Sequence, residues 1–406
     1  MAELQFAAQA YQTRSTQLLS QQCINAFVEP TPKEGKTQMP VYGIPGLRLF
    51  TRIGNGPVPG MHVMQDILFM LSGGELWAIS YDDVLATAAG SPVQATFIGT
   101  TTLGDQYVSM ADNAQQLVMT DGDVAWIYQT AGLNQVTTET VPPGTTVIPA
   151  NITGTINTGD ALNIQSDSGG IFATTSATTV GPNDIAITIV DPLTAQLTAG
   201  AIITDPANTL AQITAGAFLQ ASTVRYFDGY FVFNEKGGRQ FFLSSINDGT
   251  QYSGLDFATA SSGSDFTEAV EVYHEQLLIF CRTYTEIWWD SGNAAFPFQR
   301  YDAALIARGL ASPYCVCSED NTVFWMGDDG IFYRLNGFQP QRISTFAMEH
   351  AWAQYPLKFN DASCFVLDQE GHKFVIVNFF SGCATWAYDI SSGLWAQRQS
   401  NGTPWV

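Results

Sequence analysis

Short runs of apolar, β-branched and aromatic residues come in pairs along this chain, and Gly-, Asp- or Asn-containing turns separate the members of each pair. Six such pairs stand out: ILFMLSGGELWAIS (67–80), QLVMTDGDVAWIYQ (116–129), YFVFNEKGGRQFFLS (230–244), LLIFCRTYTEIWWD (277–290), TVFWMGDDGIFYRL (322–335) and FVIVNFFSGCATWAYD (374–389). Each reads as a β-hairpin, because strand-forming residues crowd both arms and the turn residues tolerate positive φ. The turn centres, near Gly73, Asp121, Gly237, Arg282, Asp329 and Ser381, recur every 45 to 52 residues except between the second and third. A period of this length accommodates a four-stranded antiparallel sheet whose two apolar faces need neighbours, and a ring of such sheets supplies them with few open edges. The expected fold is therefore an all-β propeller of about six blades. Trp77, Trp126, Phe242, Trp288, Phe332 and Trp386, on the second arms, are expected to be buried between sheets.

The period breaks at 137–220. Thr, Ala, Gly, Asn and Asp dominate there, and Phe172 is the sole aromatic before Phe218. Alternation persists in VIPANITGTINTGDALNIQ, DIAITIV and AIITDPANTLAQI, with turn signals between, so the segment reads as a small β-sandwich or barrel rather than a disordered linker. The expected organisation is 1–136 as the N-terminal part of the propeller, 137–220 as an inserted β-domain, and 221–406 as the C-terminal part. Within the lead-in, VEPTPKEGKT reads as an exposed loop and GIPGLRLF as a strand-like segment. A propeller commonly closes by pairing a strand from one terminus with the blade formed by the other, and this lead-in is the candidate.

Charge narrows the function. The chain carries 16 Lys and Arg against 37 Asp and Glu, a formal charge of −21, and no Lys or Arg occurs from Ile53 to Val224. That excludes ordinary nucleic-acid binding over this stretch, since phosphate contacts come mostly from Lys and Arg. A duct past which DNA slides without sticking would want such a wall. Charged residues make up only 13% of the chain, about half the usual share, which points to surface hidden in an assembly. MAELQFAAQAYQTRSTQLL lacks a basic segment followed by an apolar one, so no secretory leader is expected. No apolar run reaches the roughly 18 residues of a membrane span. The protein is expected to be made in a cytoplasm and stay soluble there.

Candidate chemistry is sparse. The acid pairs Asp82-Asp83, Glu319-Asp320 and Asp328-Asp329 read as turn residues rather than the convergent acids of a glycosidase. SSINDGTQY (244–252) resembles the turn of sialidases with its acid at a different offset, and supports only a turn. His62, His274, His350 and His372 stand far apart, outside any ligand spacing. Cys23, Cys281, Cys315, Cys317, Cys364 and Cys383 read as free thiols, and Cys315-x-Cys317 lacks the spacer and second pair of a zinc site. GNGPVPG (54–60) reads as a stiff turn, not a phosphate cradle. Sequons at Asn151 and Asn401 matter only in a secretory compartment. The expectation is no enzyme, with no catalytic, cofactor-binding or metal residues and no cofactor.

INAFVEPTPKEGKTQMPVYGIPGLRLFTRIGNGPV, VSMADNAQQLVMTDG, RYFDGYFVFNEKGGRQFFLSSINDGTQYSGLDFA, EIWWDSGNAAFPFQRYDAALIARG, FWMGDDGIFYRLNGFQPQRISTFAMEHAW and EGHKFVIVNF, in this order, resemble the packaged-DNA stabilisation proteins of short-tailed bacteriophages, also described as tail-hub or nozzle components. The resemblance covers most of the chain outside 137–220. It implies a structural virion protein of the tail that forms a ring, typically a homohexamer, below the portal and its head–tail adaptor. The ring would retain packaged DNA and connect the head to the distal tail, with DNA passing the duct without specific binding. Adaptor and other tail proteins would be its partners, and it would be assembled in the host cytoplasm. The competing class is a propeller glycosidase or lectin acting on bacterial surface glycans.

Overall fold

A computed structural model describes residues 9–12, 20–31, 39–88, 90–130, 134–152, 156, 158–159, 161–167, 171–181, 184–204, 209–293 and 296–405. Most of the expected loop at 28–37, and Thr153 of the Asn151 sequon, lie outside these residues. Six four-stranded sheets follow one another along the chain. The first joins Gly60–Met64, Ile67–Ser72, Glu75–Ser80 and Thr96–Thr100; the second joins Ser109–Asp112, Gln116–Thr120, Ala125–Gln129 and Thr209–Gln212. The third joins Ala221–Phe227, Tyr230–Glu235, Gln240–Ser245 and Asp248–Thr259; the fourth joins Thr267–Tyr273, Gln276–Cys281, Thr285–Asp290 and Phe298–Ile306. The fifth joins Val316–Glu319, Thr322–Met326, Phe332–Asn336 and Gln339–Arg342; the sixth joins Ala362–Gln369, His372–Phe379, Ala384–Asp389 and Trp395–Gln397. The six hairpins read from the sequence are the second and third strands of these six sheets, and the fold is the expected all-β propeller.

Two compact units partition the chain: 51–233 with 242–257, and 1–50 with 234–241 and 258–406. In the first of these, strand periodicity sends alternate side chains of Gln116–Thr120 to opposite neighbours. Leu117 and Met119 pack with Phe69, Leu71 and Leu76 of the first sheet, while Val118 packs with Phe231 and Phe233 of the third. The other unit repeats the device. Val323 and Trp325 face Leu278 and Phe280 of the fourth sheet, whereas Phe324 and Met326 face Val375, Val377 and Phe379 of the sixth. A strand buried on both faces reads as a continuous apolar run, which is why TVFWM is wholly buried.

Four of the six marker aromatics are buried as expected: Phe242 (4% exposed), Trp288 (8%), Phe332 (0%) and Trp386 (5%). Trp77 and Trp126 correct the reading, for both are only half-buried. The Trp126 indole N–H donates to Thr102 Oγ1, in the loop after the first sheet, at 3.0 Å.

Residues 134–204 contribute a separate six-stranded sheet, in the order Ile171–Thr175, Ala161–Gln165, Ile202–Thr204, Asn134–Thr137, Val147–Asn151, Ala186–Thr188. Its own apolar cluster includes Ile148, Ile156, Leu162, Ile164, Ile187, Leu197 and Ile203. The expected boundary at 220 is too late. Thr209–Gln212 pairs with Ala125–Gln129 as the outer strand of the second sheet, so the extra sheet interrupts that sheet between its third and fourth strands. The TLAQ run matches its neighbours in composition, and only register shows which sheet it serves.

The lead-in does join the last sheet. Ile24 bridges Gln397 in parallel, Asn25 N–H donates to Gln397 O at 2.9 Å, and Gln397 N–H donates to Cys23 O at 2.8 Å. The Asn25 side chain clamps Gln399 from both sides, donating to its carbonyl at 2.8 Å and accepting from its N–H at 2.9 Å.

Candidate functional site

Within each unit the first strands of successive sheets contact one another: Gly60–Met64, Ser109–Asp112 and Ala221–Phe227 in one, Thr267–Tyr273, Val316–Glu319 and Ala362–Gln369 in the other. In a propeller these strands lie nearest the central channel, so their polar side chains are the candidate functional surface. In the first row, His62 Nε2 meets Asp112 Oδ2 at 2.5 Å. Burial pushes the Asp112 carboxyl up, but the His62 contact and the Ala114 N–H outweigh it and hold the group below its ordinary range. Arg225 donates to Ser109 Oγ at 3.3 Å and to Val224 O at 2.8 Å.

The other row is acidic. It carries Glu268 and Glu271, then Glu319, then Asp368. Arg282 binds Glu268 at 3.0 Å, yet burial dominates and raises that carboxyl's pKa. Ser318 Oγ donates to Glu271 Oε1 at 2.9 Å, and Lys373 pairs with Glu319. The Lys373 hydrogen bond is the main cause that lowers the Glu319 pKa and, reciprocally, raises that of Lys373. These are tethered acids spread along successive strands. Two of them are paired with Arg282 and Lys373, and they do not form a converging pair.

The acid pairs singled out in the sequence are not brought together. Asp83 closes a capping box with Ser80 at the start of helix Tyr81–Ala86. Asp320 reaches Arg334 at 3.5 Å. Asp328 accepts from Gly309 N–H at 3.0 Å, and Asp329 accepts from Tyr333 OH at 2.7 Å beside Arg308 at 3.2 Å. In SSINDGTQY, Asn247 takes φ 55° and buried Asp248 accepts from Thr250 N–H at 2.9 Å, a turn as expected. GNGPVPG packs on the first hairpin: a Cβ on Gly54 would lie 2.7 Å from Ser72 Oγ, and one on Gly56 2.8 Å from Gly73 N. Close backbone approach, not phosphate binding, explains these glycines.

His372 stands between Asp389 (3.0 Å) and Glu29 (3.5 Å), His274 sits in a turn at φ 53°, and His350 lies in the last turn of helix Phe346–Trp352. All six cysteines are free. Cys364, on the first strand of the sixth sheet, meets Cys315 and Cys317 beside the fifth; burial first, then these sulfur contacts, push its thiol well above the ordinary range. Nothing in the sequence announced this trio, because Cys364 arrives 47 residues after Cys317 through sheet stacking. Among the described residues no group of three or more His, Cys, Asp or Glu side chains is arranged to hold a metal ion.

A shallow pocket of 460 Å³ lies between the Tyr273–Gln276 turn and Gly337–Phe338. Glu275 is the one carboxylate among the residues that line it.

Residues 180–403, more than half of the chain, match the family described as Bacteriophage P22 Gp10, beta-propeller. No curated protein matches. Solved structures similar to the chain include the phage phi92 endosialidase (11% identity, TM-score 0.41, 92% of this chain and 62% of that one). Also similar are the computationally designed Ika8 protein (8%, 0.38, 88% and 91%) and Hsv2p of Kluyveromyces lactis (6%, 0.31, 84% and 97%). The chain thus spans less than two thirds of the endosialidase.

Proposed function

Since the chain belongs to the Bacteriophage P22 Gp10, beta-propeller family, as a structural protein of the phage tail, we propose that it forms the tail hub or nozzle ring. In this reading a homohexamer sits below the portal and head–tail adaptor, retains packaged DNA and carries the distal tail. The family match over 180–403 is the observation that carries it. Physical features support it. Doubly buried, closely packed sheets resist deformation, which suits a part that bears the pressure of a filled head. The charge of −21 and the absence of Lys and Arg from 53 to 224 favour a wall that DNA passes without adhering. No side chain acts as nucleophile or acid in this role, and no cofactor enters it. No helix among the described residues is long and apolar enough to cross a membrane, and the proposed location is the virion tail after assembly in the host cytoplasm.

The test is a salt titration of labelled duplex DNA against the purified assembly, alongside imaging of particles that carry a tagged chain. Expected are no binding at near-physiological salt, where non-specific binders reach dissociation constants of about 10⁻⁴ to 10⁻⁶ M, and tag density at the head–tail junction. Micromolar binding that weakens steeply with salt would replace passive passage with direct clamping. Tag density elsewhere would remove the hub reading.

A further inference from the structure

Residues 39–50 expose a run of apolar side chains. Met39 (45% exposed), Val41 (43%), Tyr42 (45%), Leu47 (64%), Leu49 (49%) and Phe50 (43%) place six large apolar side chains in water within twelve residues. Among the described residues Val41–Gly43 pairs only with Ala26–Val28, so its other edge has no partner strand there, and 44–50 continue without regular structure. An open, apolar edge invites another strand, and natural proteins usually blunt or cover it.

Area and charge point to the occupant. The six side chains leave on the order of 500 Å² of apolar surface exposed, counting roughly 200 Å² for a whole large side chain, which is the scale at which a patch marks an interaction site. A stable interface takes about 800 Å² per partner, so this segment would supply most of one side. Its one charged residue is the exposed Arg48, with no acid among the twelve, in a chain of net charge −21. The matching surface is acidic, and residues 53–224 of another copy would provide it: they carry no Lys or Arg and expose Phe97 (49%) on the outer strand of the first sheet.

We propose that residues 39–50 form a docking arm that seats on a second copy of this chain, pairing the open Val41–Gly43 edge and burying Leu47, Leu49 and Phe50 against the acidic 53–224 surface. The inference rests on the ring reading and names the segment that joins neighbouring copies. The two surfaces differ, so the contact is head-to-tail, the kind that closes into rings when the rotation allows.

The experiment compares the full-length wild type with the combined variant Leu47→Asp, Leu49→Asp, Phe50→Asp and with Arg48→Glu, by light scattering and native mass spectrometry. Thermal midpoints are measured in parallel, and a synthetic 39–50 peptide serves as competitor of wild-type assembly. Expected are an assembled wild type, a monomeric triple variant that unfolds at the midpoint of dissociated wild type, weaker assembly of Arg48→Glu, and dissociation by the peptide. A triple variant that assembles with wild-type stoichiometry overturns the arm and leaves the ring reading standing. A wild type that stays monomeric at every concentration overturns both. A triple variant with a lowered midpoint, together with a peptide that leaves assembly intact, places the arm against its own chain and overturns the proposal as well.

Discussion

Replacing Trp288 tests the blade packing at the point where apolar burial and a buried charge meet. The indole is 8% exposed, its ring lies edge-on to Phe241 at 4.8 Å, and its N–H donates to Glu286 Oε2 at 3.0 Å. Glu286 is itself fully buried, and its other oxygen accepts from Ser261 N–H at 2.9 Å and Ser262 N–H at 2.6 Å. Trp288→Ala therefore loses packing, about 3–5 kcal/mol, and leaves a buried carboxylate one donor short, about 1–3 kcal/mol more. At about 2–4 °C per kcal/mol for a large domain, the unfolding midpoint falls on the order of 10 °C. Trp288→Phe keeps most of the ring and removes the donor, so its cost is the smaller share, about 1–3 kcal/mol. Half-buried Trp77 is the internal control, and Trp77→Ala costs distinctly less. Denaturant unfolding followed by fluorescence and circular dichroism measures all three. Equal losses for Trp288→Ala and Trp77→Ala, or a loss below about 1 kcal/mol for Trp288→Ala, would refute the packing argument.

Three further outcomes are expected. Excising 134–204 and joining the flanks with a Gly-Ser linker leaves a cooperative thermal transition, because that segment closes its own apolar cluster; aggregation of every linker length would show that it belongs to the propeller core. Asp112 is held below the ordinary carboxylate range, so the stability it contributes is present above the unfolded value near about pH 3.9 and lost as pH falls through the lower folded value. In acid titrations of unfolding, Asp112→Asn should remove part of this dependence, and an unchanged profile would discount the His62 pairing. Arg398 is fully buried, sits over Phe374 at 4.4 Å and has no hydrogen-bond partner for its guanidinium among the described residues, so Arg398→Met should unfold at or above the wild-type denaturant midpoint.

Hairpins were legible in the sequence because first arms such as Thr322–Met326 and His372–Phe379 are buried on both faces, which forces apolar and aromatic residues into consecutive positions and leaves Gly and Asp for the turns. The excess of acids and the Lys- and Arg-free stretch are likewise properties of composition alone, and they limit the chemistry by themselves. Outer strands were not legible. Thr209–Gln212 has one partner strand and a half-wet face, so its residues carry no pattern that separates it from the interrupting sheet, and only its register with Ala125–Gln129 assigns it. The same holds for the pairing of His62 with Asp112, the tethering of Glu319 by Lys373 and the meeting of Cys364 with Cys315 and Cys317. These contacts join residues about 50 positions apart, one repeat along the chain, and they exist because sheets stack; local sequence fixes each strand, whereas the stacking of strands decides which side chains become neighbours.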